Sequence, residues 1–234
     1  MAGGISPGLI LGCVAAGAAG LAVGKKTPQI SLRLIEYKEG RRGEAYHSYL
    51  FPEWRSWIYA FGLAVIWAAA VYWYSLAQLA VTAVLSTAAM VIIYMDNRYR
   101  IIANEITFPL MICGMVLNLA GGGIEGFLGS LLSAAIGIAL CLAAAALTRK
   151  SGAVGAGDVK LMTAVALVSG YPGFVNALFF VAVSMGIYCA AGLLMRRMTL
   201  QSYFPMGGFI AAGMVFAIFE KELMPWVFLL LERK

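Results

Sequence analysis

Asp96 and Asp158 are the only aspartates in this chain of 234 residues, and each stands where a long apolar run meets a basic loop. Two carboxylates brought close together cannot both ionise easily, so such a pair shares one proton over a range of pH. The ionised member can take a proton from water while the protonated member polarises a carbonyl. That is the chemistry of peptide hydrolysis, and its apparent pKa values belong to the pair rather than to either residue. Asp158 ends the turn Gly155-Ala156-Gly157-Asp158. Gly155 and Gly157 are expected to supply positive φ and to remove Cβ bulk, so that the loop turns tightly beside a substrate backbone. Asp158 then falls near a helix start, where free N–H groups favour its ionised form. Lys160 is close enough in sequence to do the same or to bind a lipid headgroup. Taken alone, GxGD is a weak motif. Asp158 reads equally as a helix cap, and Asp96 as the stop of an apolar helix.

The elements that must position these residues are membrane helices. The chain is 62% hydrophobic and only 12% charged, against about 25% charge in soluble domains. Its apolar runs are continuous rather than alternating, which argues for helices and against a β-barrel. The fold class read from this pattern is all-α, a polytopic membrane helix bundle of about eight transmembrane helices. The spans fall near 5–24, 58–74, 76–95, from Ile106 to the Gly121-Gly122-Gly123 turn, 126–147, from Asp158 to before Gly170, 174–195, and from Pro205 to Glu220. Pro109 is placed in the first turn of its span, where a missing N–H costs little. Residues 29–37 suit a short interfacial helix with Ile30, Leu34 and Tyr37 on one side. Residues 1–57 read as a first span with a basic polar segment, and 58–234 as the membrane-embedded core.

The net charge is +6, and 14 of the 17 Lys and Arg residues fall at 25–55, 98–100, 149–160 and 196–197. An even number of spans separates each cluster from the next, so all four lie on one face, the cytoplasmic one by the positive-inside rule. Both aspartates fall on that face, and the N-terminus lies outside. The expected location is the cell inner or plasma membrane. The apolar run at 5–24 is followed, not preceded, by Lys25-Lys26, the reverse of a cleaved secretory signal. Topology accounts for the basic residues, so no nucleic-acid partner is expected; membrane lipids are. Cys13, Cys113, Cys141 and Cys189 form no CxxC pair, support no metal site and read as packing residues. His47 reads as an ordinary polar-loop residue, Glu105 as a cap of its helix, and Glu125 as an interface anchor.

Gly155-Ala156-Gly157-Asp158-Val159-Lys160-Leu161-Met162 resembles the GxGDxKL signature of type IV prepilin peptidases, membrane aspartyl proteases related more loosely to archaeal preflagellin peptidases. Ile102-Ala103-Asn104-Glu105-Ile106-Thr107-Phe108-Pro109 resembles the I-P-N-x-x-T-x-P stretch that follows the family's first catalytic aspartate, with Ala103 in place of a proline. Phe204-Pro205-Met206-Gly207-Gly208-Phe209 resembles the start of the family's last helix. The resemblance spans roughly 80–215. It implies that Asp96 and Asp158 are catalytic, with Gly155, Gly157, Lys160 and Asn104 supporting the loops around them. It also implies cleavage of a short basic leader from prepilin or pseudopilin precursors at the cytoplasmic face, a step that needs no cofactor. Many members also methylate the new N-terminus with S-adenosylmethionine and carry a G-S-F-L-N-x-x-x-x-R segment and two CxxC pairs. Here Gly24-Lys25-Lys26-Thr27-Pro28-Gln29 stands in place of that segment and the CxxC pairs are missing, so S-adenosylmethionine enters only if methylation is retained. The 25–57 segment, with Glu36, Glu39, Glu44 and Glu53, reads either as a recogniser of the basic leader or as a solvated loop. Two other classes stay open: a proton-coupled transporter using the carboxylates as a relay, and a non-catalytic membrane scaffold of a pilus or secretion system.

Overall fold

The computed structural model describes residues 6–43, 45–46, 54, 56–148, 155–196, 205–220 and 222. Among them the regular structure is helical throughout: α1 (Pro7–Lys25), α2 (Thr27–Arg42), α3 (Ser56–Trp73), α4 (Leu76–Tyr99), α5 (Asn104–Thr148), α6 (Ala156–Ser169), α7 (Gly173–Leu194) and α8 (Gly207–Ile218). The helices group into two compact units, Met1–Tyr99 and Arg100–Lys234. Five stretches are long and apolar enough to cross a membrane: Pro7–Arg41, Ser56–Trp73, Leu76–Tyr99, Asn104–Ala146 and Gly173–Leu194. Each span expected from the sequence coincides with one helix, or one arm of a helix, so the chain is an all-α, multi-pass membrane bundle. The helices α6 and α8, with 14 and 12 residues, are shorter than the ~20 residues of a full crossing.

In the first unit, α1 begins at Ser6, whose Oγ accepts from the Leu9 N–H at 3.3 Å, with Pro7 in the first helical position. Both are ordinary helix-start signals. A row of small residues then lets α1 lie directly on α3. A Cβ at Gly20 would stand 2.7 Å from the Leu63 carbonyl oxygen, and one at Gly24 would collide with the Ala60 backbone. This is the close approach that small residues permit between membrane helices. Farther along, α3 packs on α4, where Trp67 Nε1 donates to Ser86 Oγ at 3.2 Å.

The interfacial helix expected at 29–37 is present as the longer α2 (Thr27–Arg42). Thr27, Ser31, Ile35 and Lys38 are buried, while Ile30 and Tyr37 are exposed. The inward face is thus the polar one. The apolar side chains point away from the protein, as suits a helix bordered by lipid.

In the second unit, α5 is two arms joined at Gly123, whose φ of 59° and ψ of −148° break the helix. The reversal is sharp enough that a Cβ at Gly126 would stand 2.5 Å from the Asn118 carbonyl oxygen. The turn expected at Gly121-Gly122-Gly123 is therefore made by its third glycine. Pro109 falls in the second turn of α5 rather than the first, because the helix starts at Asn104, two residues earlier than the sequence pattern indicated. Its ring nitrogen carries no N–H to join the helical ladder.

The first arm of α5 meets α6 through Gly114, and the second through Gly137, which packs on Met162. Leu161, Met162, Ala164, Val165, Ala166 and Leu167 of α6 are all buried. This makes α6 the central helix of the unit, with α7 and α8 packed beside it. Phe180 stacks on Phe216 at 4.7 Å to fasten α7 to α8. His47 and Phe204 lie outside the described residues, so the expectations for them have no structural counterpart.

Candidate active site

Asp158 occupies the third position of α6, after the N-cap residue Gly155. Its carboxylate reaches back and accepts a hydrogen bond from the Gly155 backbone N–H. This is the acidic half of a capping box, in which an N3 side chain satisfies the N-cap donor. The positive end of the helix dipole favours an anion at the same place.

Positive φ and the absence of Cβ bulk were the two expected reasons for these glycines, and the structure overturns the first. Gly155 is extended, with φ −68° and ψ 140°, and Gly157 is an ordinary helical residue, outside the set of positive-φ glycines. The second, space, holds. A Cβ at Gly155 would lie 3.0 Å from Asp158 Oδ2, and one at Gly157 would lie 3.2 Å from Ile102 Cβ. The glycines let the carboxylate fold back on its own turn and let the 100–103 segment lie against α6.

That segment is fixed a second time. Lys160 Nζ donates to Asn104 Oδ1 at 3.2 Å, tying the first turn of α5 to α6 two residues beyond Asp158. Ala103 is 1% exposed, and its carbonyl accepts from the Thr107 Oγ1 hydroxyl at 3.3 Å. The residue standing where the resemblance has a proline is therefore held by packing and a hydrogen bond. Arg100, which opens the segment, takes a left-handed φ of 56°. Glu105 is exposed in the first turn of α5.

Two residues of this unit were missed by the sequence reading. Cys141, buried on the second arm of α5, lies within electrostatic reach of the Asp158 carboxylate. A lone apolar-run cysteine carries no signal that could reveal this. Asn118 clamps the far end of α6: its Nδ2 donates to the Gly114, Leu167 and Val168 carbonyls at 3.0, 2.8 and 3.3 Å. An amide inside an apolar run was the available signal, since buried polar groups must find partners.

Asp96 belongs to the first unit. It lies in the last turn of α4 and is 6% exposed. Around that end, Asn97 Nδ2 donates to Tyr59 Oη at 3.3 Å, and Arg98 Nη1 donates to Tyr94 Oη at 2.9 Å. The Tyr59 and Tyr94 rings meet edge to face at 5.3 Å. Asp96 and Asp158 thus sit at helix ends in different units, each held by its own surroundings. Asn104, Gly157 and Lys160 are brought together around Asp158. Among the described residues, no group of three or more His, Cys, Asp or Glu side chains is arranged to hold a metal ion.

The fold and these residues describe a helical multi-pass membrane protein with one carboxylate at a helix start and one buried carboxylate at a helix end. The sequence profile of the type IV leader peptidase family matches residues 83–191. The prepilin leader peptidase/N-methyltransferase of Bacillus subtilis (strain 168) is 29% identical over 125 residues, covering 52% of this chain and 48% of that protein. The chain spans about half the length of the curated relative it matches. No solved structure gives a significant match. Residues 83–191, which hold both aspartates, are the part of the chain that is similar to the type IV leader peptidase family.

Proposed function

We propose that this protein is an aspartic endopeptidase that removes a short basic leader from prepilin-like precursors at the cytoplasmic face of the cell membrane. The observation that carries the reading is Asp158 itself. Its family-matched turn is the first turn of α6, where Gly155 supplies both a backbone donor and the space for the carboxylate. In the proposed step, Asp96 and Asp158 share one proton. The ionised carboxylate takes a proton from water, the resulting hydroxide attacks the scissile carbonyl, and the protonated carboxyl hydrogen-bonds the carbonyl oxygen as it becomes negative. The tetrahedral intermediate collapses with a proton delivered to the leaving amine. Each carboxylate stands at the margin of an apolar helix, where water reaches it more readily than at mid-membrane.

Gly157, Lys160 and Asn104 hold the 100–104 segment against α6 and so fix the surroundings of Asp158. The proteolytic step takes no cofactor. Methylation is left out of the proposal, because residues 24–29 depart from the methylating segment and no CxxC pair is present.

The test is to co-express the chain with candidate pilin-like precursors and follow their electrophoretic shift. Loss of the leader that requires both aspartates supports the reading. Unshifted precursors across a panel of such substrates, with the enzyme folded in the membrane, refute it.

A further inference from the structure

Lys38 has no part in the chemistry above, yet it is only 6% exposed. Burying an ammonium is costly unless an anion or a set of acceptors compensates it. It closes the inward stripe Thr27, Ser31, Ile35 and Lys38 on α2, and within the first unit α2 packs chiefly against α4.

The geometry of α4 shows which of its sides receives that stripe. Ser86, Met90, Tyr94 and Asn97 turn toward α3: Trp67 bonds Ser86, Gly62 rests on Met90, and Tyr59 contacts Tyr94 and Asn97. The neighbouring side carries Leu85, Ala89, Ile92, Asp96 and Tyr99, all buried. At its end Tyr99 is within electrostatic reach of Glu39, the residue next to Lys38. Lys38, the neighbour of Glu39 on the inward stripe of α2, therefore falls toward the same end of α4 as Asp96.

Charge points the same way. Asp96 lies at the C-terminal end of α4, where the helix carbonyls add negative potential, so a buried carboxylate there needs a cation. Among the described cations of this unit, Lys25 stands over the Trp57 ring at 4.1 Å, Arg41 donates to Tyr37, and Arg98 donates to Tyr94. Lys26 and Arg33 are exposed. From the other side, Glu36 is exposed and Glu39 accepts from the Tyr46 N–H at 2.8 Å. Among the described residues of the unit, Lys38 and Asp96 are the buried cation and the buried carboxylate.

We propose that Lys38 is the positioning residue of Asp96: its ammonium pairs with the Asp96 carboxylate and holds it in place at the end of α4. The pairing stands on the geometry of the first unit alone; its consequence for cleavage rests on the proposed role of Asp96. A double-mutant cycle on the purified full-length protein separates the two. Thermal unfolding is compared for the unmodified protein, Lys38→Met, Asp96→Asn and the double variant. The expected result is a marked fall in melting temperature for Lys38→Met that largely disappears in the Asp96→Asn background, since the carboxylate left stranded has been neutralised. The same fall in both backgrounds overturns the proposal. If Lys38→Met yields no folded protein, recovery of folded protein on adding Asp96→Asn supports the pairing, and failure to recover overturns it. In an active enzyme, Lys38→Arg keeps cleavage, while Lys38→Met lowers kcat on the order of tenfold or more with KM little changed. Equal losses for both variants overturn the positioning role.

Discussion

Gly114→Ala puts the smallest possible side chain at the closest approach of α5 and α6. The new Cβ would stand 2.6 Å from the Leu167 carbonyl carbon and 2.6 Å from the Val168 nitrogen, whereas such atoms rest about 3.5–4.0 Å apart. Both neighbours are backbone atoms and cannot rotate away. Relief therefore needs α6 to retreat by about 1 Å from α5. That retreat carries the 2.8 Å bond from Asn118 Nδ2 to the Leu167 carbonyl past the usual hydrogen-bond range. Overpacking costs about 1–3 kcal/mol, and the lost bond about 0.5–1.5 kcal/mol, so the expected destabilisation is about 1.5–4.5 kcal/mol. Because α6 also carries Asp158, a shift of this size is expected to lower cleavage by about 100-fold. Reversible unfolding in mixed micelles measures the first quantity and turnover of a pilin-like precursor the second. A Gly114→Ala protein as stable and as active as the unmodified one would refute the reasoning from close packing to catalytic geometry.

Two glycines of the first unit give a paired control. Gly20→Ala meets the Leu63 carbonyl oxygen at 2.7 Å and is expected to cost about 1–3 kcal/mol. Gly62→Ala meets only the tip of Met90, at 2.8 Å, which can swing aside, so its unfolding free energy should change by less than about 1 kcal/mol and can rise through helix propensity. Equal effects in the two variants would contradict the backbone-contact argument. Lys160→Met removes the tie to Asn104 and is expected to cost about 1 kcal/mol of stability and to slow cleavage. Lys160→Arg should retain part of both, and full activity in the methionine variant would show that the 100–104 segment needs no such anchor.

Much of the fold was legible because membrane helices announce themselves by length and hydropathy. The eight apolar runs became helices or helix arms, and the reversal at Gly123 fell within the three glycines that marked it. The apolar side of α2, Ile30, Leu34 and Tyr37, was legible as one side of an interfacial helix. That Thr27, Ser31 and Lys38 are buried on its other side was not, because nothing in the sequence says what packs there. The motif around Asp158 was readable by residue type but not by mechanism. Glycine in a turn suggests both positive φ and missing bulk, and only coordinates show that the second applies and that the space is taken by the Asp158 carboxylate and Ile102. Asn104 and Lys160, 56 residues apart in the chain, were each singled out, yet nothing in sequence says that they touch. Asn118 and Cys141 acquire their significance entirely from partners on α6.

The central claim is that Asp96 and Asp158 together hydrolyse the leader peptide bond. Its most direct test is the intact mass of a pilin-like precursor incubated with the purified protein, with Asp96→Asn and with Asp158→Asn, all three checked for folding. The account predicts loss of the leader mass with the unmodified protein and an uncut precursor with each variant; an added methyl mass would bring the second activity back. Leader removal that persists in either variant would contradict it.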